Sequence, residues 1–171
     1  GGSHGAFTWG VLERLLDEPW VDVRALSGSS AGALNAAVFT AGWQAGGREG
    51  ARQGLSDFWH AISRISQGGI AMPLLGMLGV RSPSQGDANA RLLASMPRWG
   101  SPYQLNPAGP NPLRQLLDET VDLEAINHPS APRLLVSATN VHSGQARVFS
   151  NPHIDMATLL ASACLPSFYQ A

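Results

Sequence analysis

An α/β layered domain is the fold class this chain predicts, on three observations. Helical and strand-like patterns alternate along its length. Gly28, Ser29, Ser30, Ala31 and Gly32 put a serine between two glycines where a strand gives way to a helix. Gly1, Gly2, Ser3, His4 and Gly5 form a second glycine-rich turn, and this one also opens directly into a helix. With 171 residues and 44% hydrophobic content, the chain is long enough for one domain with a real core.

After Gly5, the apolar Val11, Leu12, Leu15 and Leu16 alternate in pairs with Glu13, Arg14, Asp17 and Glu18, which is helical spacing. Residues 21–27 read as a short, partly apolar strand, and residues 31–40 as a helix of small and apolar residues. Residues 48–66 give the clearest amphipathic helix, with Ala51, Leu55, Phe58, Trp59, Ile62 and Ile65 on one side. Residues 67–110 change character: six glycines and four prolines fall between Gln67 and Asn106, among apolar residues such as Met72, Leu74, Leu75, Met77 and Leu78. A stretch of this kind inside a compact domain is either a lid or binding loop or a loop packed over the core, and both readings stay open. Asn111 and Pro112 then start a helix, with Asn at the cap, Pro in the first turn, and Leu113, Leu116 and Leu117 facing inward. Residues 134–139 read as a buried strand, and residues 147–149 as its partner across a turn near Ser143 and Gly144. Asp155 caps a last helix over residues 156–164, which Pro166 stops.

The two glycine motifs carry the chemistry. A serine at a strand-to-helix turn is held in a strained backbone conformation that exposes its oxygen above the sheet, and the flanking Gly28 and Gly32 avoid collisions with neighbouring backbone. The helix that follows offers free N–H groups and a positive dipole end beside that oxygen. Ser30 is therefore the candidate nucleophile. Ser29 occupies the variable position of the motif and Ser27 lies earlier in the strand, so both are rivals on paper only. The loop of Gly1, Gly2 and Ser3, closed by Gly5, presents backbone N–H groups to an anion, which in acyl transfer is the oxygen of the tetrahedral intermediate. A dinucleotide-binding turn with Asp22 as the ribose acid is the competing reading, but it needs a preceding strand and leaves Gly28 and Gly32 unexplained. Asn35 is the lone strongly polar residue on an apolar helix. It is read either as a satisfied buried amide or as a partner for backbone near the site.

Composition narrows the partners. A net charge of −1 gives no reason to expect nucleic acid, and no basic run suggests attachment to anionic lipid. The single cysteine, Cys164, excludes an internal disulfide and a cysteine-based metal site, and its apolar neighbours favour a buried structural thiol. No histidine pair has zinc-site spacing with a third ligand, so no metal and no other cofactor is expected. No apolar stretch approaches the ~20 residues that a membrane-spanning helix needs. The absence of an initial Met and of a signal peptide carries no information on export.

The order Gly-Gly-Ser-His-Gly-Ala-Phe, a helix, then Gly-Ser-Ser-Ala-Gly closely resembles the patatin-like phospholipases. Gly1, Gly2 and Gly5 match the last three glycines of the family's loop of three glycines, two variable positions and a glycine. The stretches Ser101-Pro102-Tyr103-Gln104-Leu105-Asn106-Pro107, Asn111-Pro112-Leu113-Arg114, Ala138-Thr139-Asn140 with Ser143-Gly144, and Ala161-Ser162-Ala163-Cys164-Leu165-Pro166 look like a bacterial branch. The resemblance spans nearly all of residues 1–171, weakest over about 67–100. It implies a three-layer α/β/α domain around a mostly parallel sheet, of which the first strand and the C-terminal part lie outside this chain.

The same resemblance implies a serine–aspartate dyad that cleaves fatty acyl esters, with Ser30 attacking and the aspartate taking its proton. In the family that aspartate sits in an Asp-Gly-Gly or Asp-Gly-Ala motif past the Ser-Ala-Cys-Leu-Pro region. This chain has no Asp-Gly pair, so residues 1–171 alone are expected to be inactive. His4 stands where the family usually carries Arg or Lys, so the resemblance does not extend to a fixed positive charge beside the loop. The implied partners are a lipid or acyl ester and, transiently, a membrane or micelle surface. The implied setting is cytoplasmic or peripheral to a membrane. Two other readings stand beside this one. An α/β-hydrolase-type esterase would run serine, acid, histidine, using Asp118 or Asp122 with His142 or His153. A catalytically silent acyl-chain-binding module would look identical up to Ala171. His60, on the polar side of its helix, and His128, before Pro129, are expected to be solvated.

Overall fold

The computed structural model describes residues 5–67 and 112–163. In chain order they form α1 (Gly5–Leu16), β1 (Ala25–Ser29), α2 (Ala31–Gln67), α3 (Pro112–Thr120), α4 (Leu123–Ile126), β2 (Arg133–Thr139), β3 (Ala146–Ser150) and α5 (Met156–Ala163). This is the mixed α/β alternation expected from the sequence. The glycine loop of residues 1–4, the stretch over 68–110, Asn111, Cys164 and Pro166 lie outside the described residues.

The first arm of α2 is the centre of the domain. Ala31, Ala33, Leu34, Ala36, Ala37, Val38, Phe39 and Ala41 are all buried, together with Asn35 and Thr40. A helix apolar on every face belongs inside a core rather than on its surface. Accordingly α2 packs against β1, β2 and each of the other helices. The sequence separates a helix over residues 31–40 from one over 48–66. In the structure they abut, and the break is made by Gly46 (φ −152°) and Gly47 (φ 60°), the second in the left-handed region that glycine alone adopts freely. The second arm buries Ala51, Leu55, Phe58, Trp59 and Ile62, the expected face.

The sheet runs β1-β2-β3, with β1 parallel to β2 and β2 antiparallel to β3. Ser29 lies opposite Ser137, and Thr139 opposite Ala146. Because β1 and β2 run in parallel, their C-terminal ends share one edge of the sheet. The β2–β3 turn therefore sits at the edge from which Ser30 emerges. Asn140 shapes that turn, its Oδ1 accepting from the His142 N–H at 3.0 Å and the Ser143 N–H at 3.1 Å.

β1 begins later than the apolar pattern of residues 21–27 predicts. The Val21 carbonyl accepts from the Arg48 guanidinium, which also donates to the Leu16 carbonyl at 2.9 Å. Arg48 thus holds the α1–β1 connection against α2, and pairing with β2 starts only at Ala25. Two asparagines fasten the other half. Asn151 Nδ2 donates to the carbonyls of Ile126 (3.0 Å) and Pro132 (3.1 Å), while its Oδ1 accepts from the Leu134 N–H at 3.0 Å. Asn127 joins Ile154 in the same two-way manner, at 2.7 and 3.0 Å. Leu113, Leu116 and Leu117 bring the inner face of α3 into the core as expected.

Candidate active site

β1 ends at Ser29 and α2 begins at Ala31, so Ser30 is the whole of the turn between them. Its φ of 54° makes it the one non-glycine residue in the left-handed region among the described residues. That conformation costs roughly 1–2 kcal/mol for an L-residue and persists only where the surroundings enforce it. Part of the enforcement is the helix itself. The Ser30 carbonyl accepts from the N–H groups of Ala33 (2.9 Å) and Leu34 (3.1 Å), the first bonds of α2. Among the described residues the N–H groups of Ala31 and Gly32 donate no such bond, which leaves two donors and the positive end of a helix beside the Ser30 hydroxyl.

The two motif glycines differ in their surroundings. A Cβ on Gly28 would stand 2.4 Å from the Gly32 carbonyl carbon and 2.5 Å from the Ala33 nitrogen, so no side chain fits there. At Gly32 nothing among the described residues lies within 4 Å of such a Cβ. Crowding therefore requires the first glycine, while no described residue crowds the second.

Two side chains tie the turn to the rest of the protein. Ser162 on α5 accepts the Ser30 N–H on its Oγ at 3.0 Å, and its hydroxyl donates to the Ser137 carbonyl of β2 at 2.7 Å. Sequence reasoning assigned Ser162 no role; its signal was being the one hydroxyl in the apolar run from Leu159 to Pro166. Asn35, fully buried, donates from Nδ2 to the Gly5 carbonyl at 3.1 Å and accepts from Trp59 Nε1 at 2.9 Å. Both readings of Asn35 thus hold together: the amide is satisfied, and a partner is the backbone where the first glycine motif enters α1.

The other candidates are elsewhere or occupied. Ser29 and Ser27 are exposed residues within β1. Every described aspartate is exposed. Asp17 pairs with Arg52, Asp22 with Arg24, Asp118 with Arg114, and Asp57 accepts from Gln53. Asp122 caps α4, and Asp155 caps α5 by accepting the N–H and hydroxyl of Thr158, each at 2.7 Å. Those two bonds hold the Asp155 carboxyl below its ordinary value. His128 is exposed and bonded to Gln44 and Ser130, and His60 is exposed with its ring edge-on to Trp9. His142 and His153 are exposed in turns. Among the described residues no carboxylate or imidazole hydrogen-bonds the Ser30 hydroxyl, and no Asp–His ion pair occurs. The same residues contain no group of three metal-ligating side chains and no helix long and apolar enough to cross a membrane.

A family model, that of the patatin-like phospholipases, matches residues 1–171. No curated protein and no solved structure matches the chain.

Proposed function

The chain belongs to the patatin-like phospholipase family, and from that premise we propose that it is a serine lipid acyl hydrolase with Ser30 as nucleophile. The observation that carries this reading is the left-handed backbone of Ser30 at the mouth of α2, beside two N–H groups without partners among the described residues. Strain of this kind at a serine between a strand and a helix supports a nucleophile better than it supports a loop.

In this reading the Ser30 Oγ forms a bond to the carbonyl carbon of a fatty acyl ester while its proton passes to an aspartate carboxylate. The carbonyl π electrons move onto oxygen, and that oxyanion is met by backbone N–H groups of Gly1, Gly2 and Ser3, with Ala31 beside the nucleophile. Collapse breaks the bond to the alcohol, which leaves with the proton from the aspartate. Water then attacks the acyl-serine and gives a proton to the same carboxylate; the bond from the acyl carbon to Ser30 Oγ breaks, Oγ takes that proton back, and the fatty acid departs. None of the described aspartates is assigned that part, because each is exposed and engaged in a cap, ion pair or side-chain hydrogen bond. Contact with the lipid surface is transient.

The test is phospholipid hydrolysis by the full-length protein. Ser30→Ala is expected to lower kcat by at least about four orders of magnitude. Gly2→Val is expected to lower kcat by about two orders with KM little changed, and His4→Ala far less. Full activity in Ser30→Ala would move the nucleophile elsewhere. A large loss in His4→Ala with none in Gly2→Val would remove the loop assignment.

A further inference from the structure

Among the described residues the two glycine motifs meet where Gly5 rests on Ala31, and a buried amide lies across that contact. A Cβ on Gly5 would stand 3.0 Å from the Ala31 Cβ and 2.8 Å from the Trp59 ring, so the end of the first motif rests directly on the residue after the nucleophile. Asn35 is 0% exposed there. Its Nδ2 donates to the Gly5 carbonyl at 3.1 Å and to the Ala31 carbonyl at 3.0 Å, and its Oδ1 accepts from Trp59 Nε1 at 2.9 Å. These partners leave the amide one orientation, because carbonyls only accept and an indole N–H only donates. Turned over, it would oppose donor to donor and oxygen to two oxygens.

We propose that Asn35 is a positioning residue: through the backbone of Gly5 and Ala31 it sets the register between the oxyanion loop and Ser30, without touching substrate. The inference rests on the reading of Ser30 as nucleophile and residues 1–5 as the oxyanion loop. Apolar packing of Gly5 on Ala31 and Trp59 holds the motifs together but does not fix direction along the contact. A hydrogen bond from a buried, fully oriented amide does. The donors of an oxyanion hole must meet the developing charge within a few tenths of an ångström, and a displacement of about 1 Å costs roughly a hundredfold in rate. The aromatic stack behind it keeps the acceptor side in place, Trp59 lying parallel to Trp9 with centroids 6.3 Å apart.

The experiment compares full-length wild type with Asn35→Leu, Trp59→Phe, Ser30→Ala and the core control Leu55→Ala. It reads kcat and KM on a soluble short-chain p-nitrophenyl ester, per folded molecule, together with Tm. Asn35→Leu, close in size but unable to hydrogen-bond, is expected to lower kcat roughly 30- to 100-fold with KM within about threefold. Trp59→Phe removes the N–H that orients the amide together with part of the ring on which Gly5 rests, and is expected to lower kcat about three- to tenfold. Leu55→Ala should lower Tm while leaving kcat within about twofold. Wild-type kcat in folded Asn35→Leu overturns the proposal, as does an equal loss of kcat in Leu55→Ala. If Asn35→Leu does not fold, Trp59→Phe decides, and an unchanged kcat there overturns it. Activity retained in Ser30→Ala removes the nucleophile reading and this inference with it. An inactive Ser30→Ala beside a fully active Asn35→Leu removes this inference alone.

Discussion

The N–H of Ser30 donates to Ser162 Oγ at 3.0 Å, and the hydroxyl of Ser162 passes the connection on to the Ser137 carbonyl at 2.7 Å. A backbone N–H at the turn is thereby bound to an α5 side chain that is itself anchored on the neighbouring strand. Without it, that N–H would lose its partner in a partly buried setting and the left-handed conformation would lose a support. Ser162→Ala is expected to lower kcat about tenfold or more with KM little changed, and Ser162→Thr to restore part of it. Steady-state kinetics on both variants check this. Wild-type kcat in Ser162→Ala would show that the helix alone holds the turn.

The contrast between the two motif glycines gives a second outcome. Gly28→Ala places a methyl group inside 2.5 Å of the α2 backbone, so the turn must open or the protein must lose stability. A loss of about 2–4 kcal/mol is expected in urea denaturation, in line with overpacking against backbone that cannot move aside. Gly32→Ala, with open space around its Cβ among the described residues, is expected to change stability by less than about 1 kcal/mol, helped by the higher helix propensity of alanine. Equal losses at the two positions would contradict the geometry.

Asp155 links stability to pH at the far end of the helix that carries Ser162. Hydrogen bonds from Thr158, side chain first and then backbone, lower its carboxyl below 3.8 in the folded state. A carboxyl with a depressed folded value stabilises the fold above its unfolded value and loses that contribution as pH falls through the folded one. Asp155→Ala is expected to cost about 1 kcal/mol at neutral pH as a lost helix cap. The gap between wild type and variant should hold steady down to about pH 4 and narrow below it. Urea denaturation at a series of pH values measures it. A gap that widens toward acid would contradict the cap.

How far the sequence could be read depends on how local each cause is. The turn at Ser30, the α5 cap at Asp155 and the β2–β3 turn at Asn140 are made by neighbours in sequence, and each is visible as a residue pattern. The face of the second α2 arm, Leu55 through Ile62, follows from its spacing alone. The start of β1 is not local: Arg48 takes the Val21 carbonyl, and no feature of residues 21–27 announces it. Ser162 and Asn35 were legible as polar residues in apolar helices, but their partners Ser30 and Gly5 were set by tertiary packing. Periodicity also fixes which residues of α1 share a side without fixing what they meet. Leu16 is buried, whereas Val11 and Leu15 stay 42% and 39% exposed.

The central claim, that Ser30 is the acylated residue, is tested most directly by treating the full-length protein with a fluorophosphonate and mapping the adduct by peptide mass spectrometry. The account predicts one adduct per molecule, on Ser30, and none on the Ser30→Ala protein. An adduct on Ser27, Ser29 or any other residue, or undiminished labelling of Ser30→Ala, would contradict it.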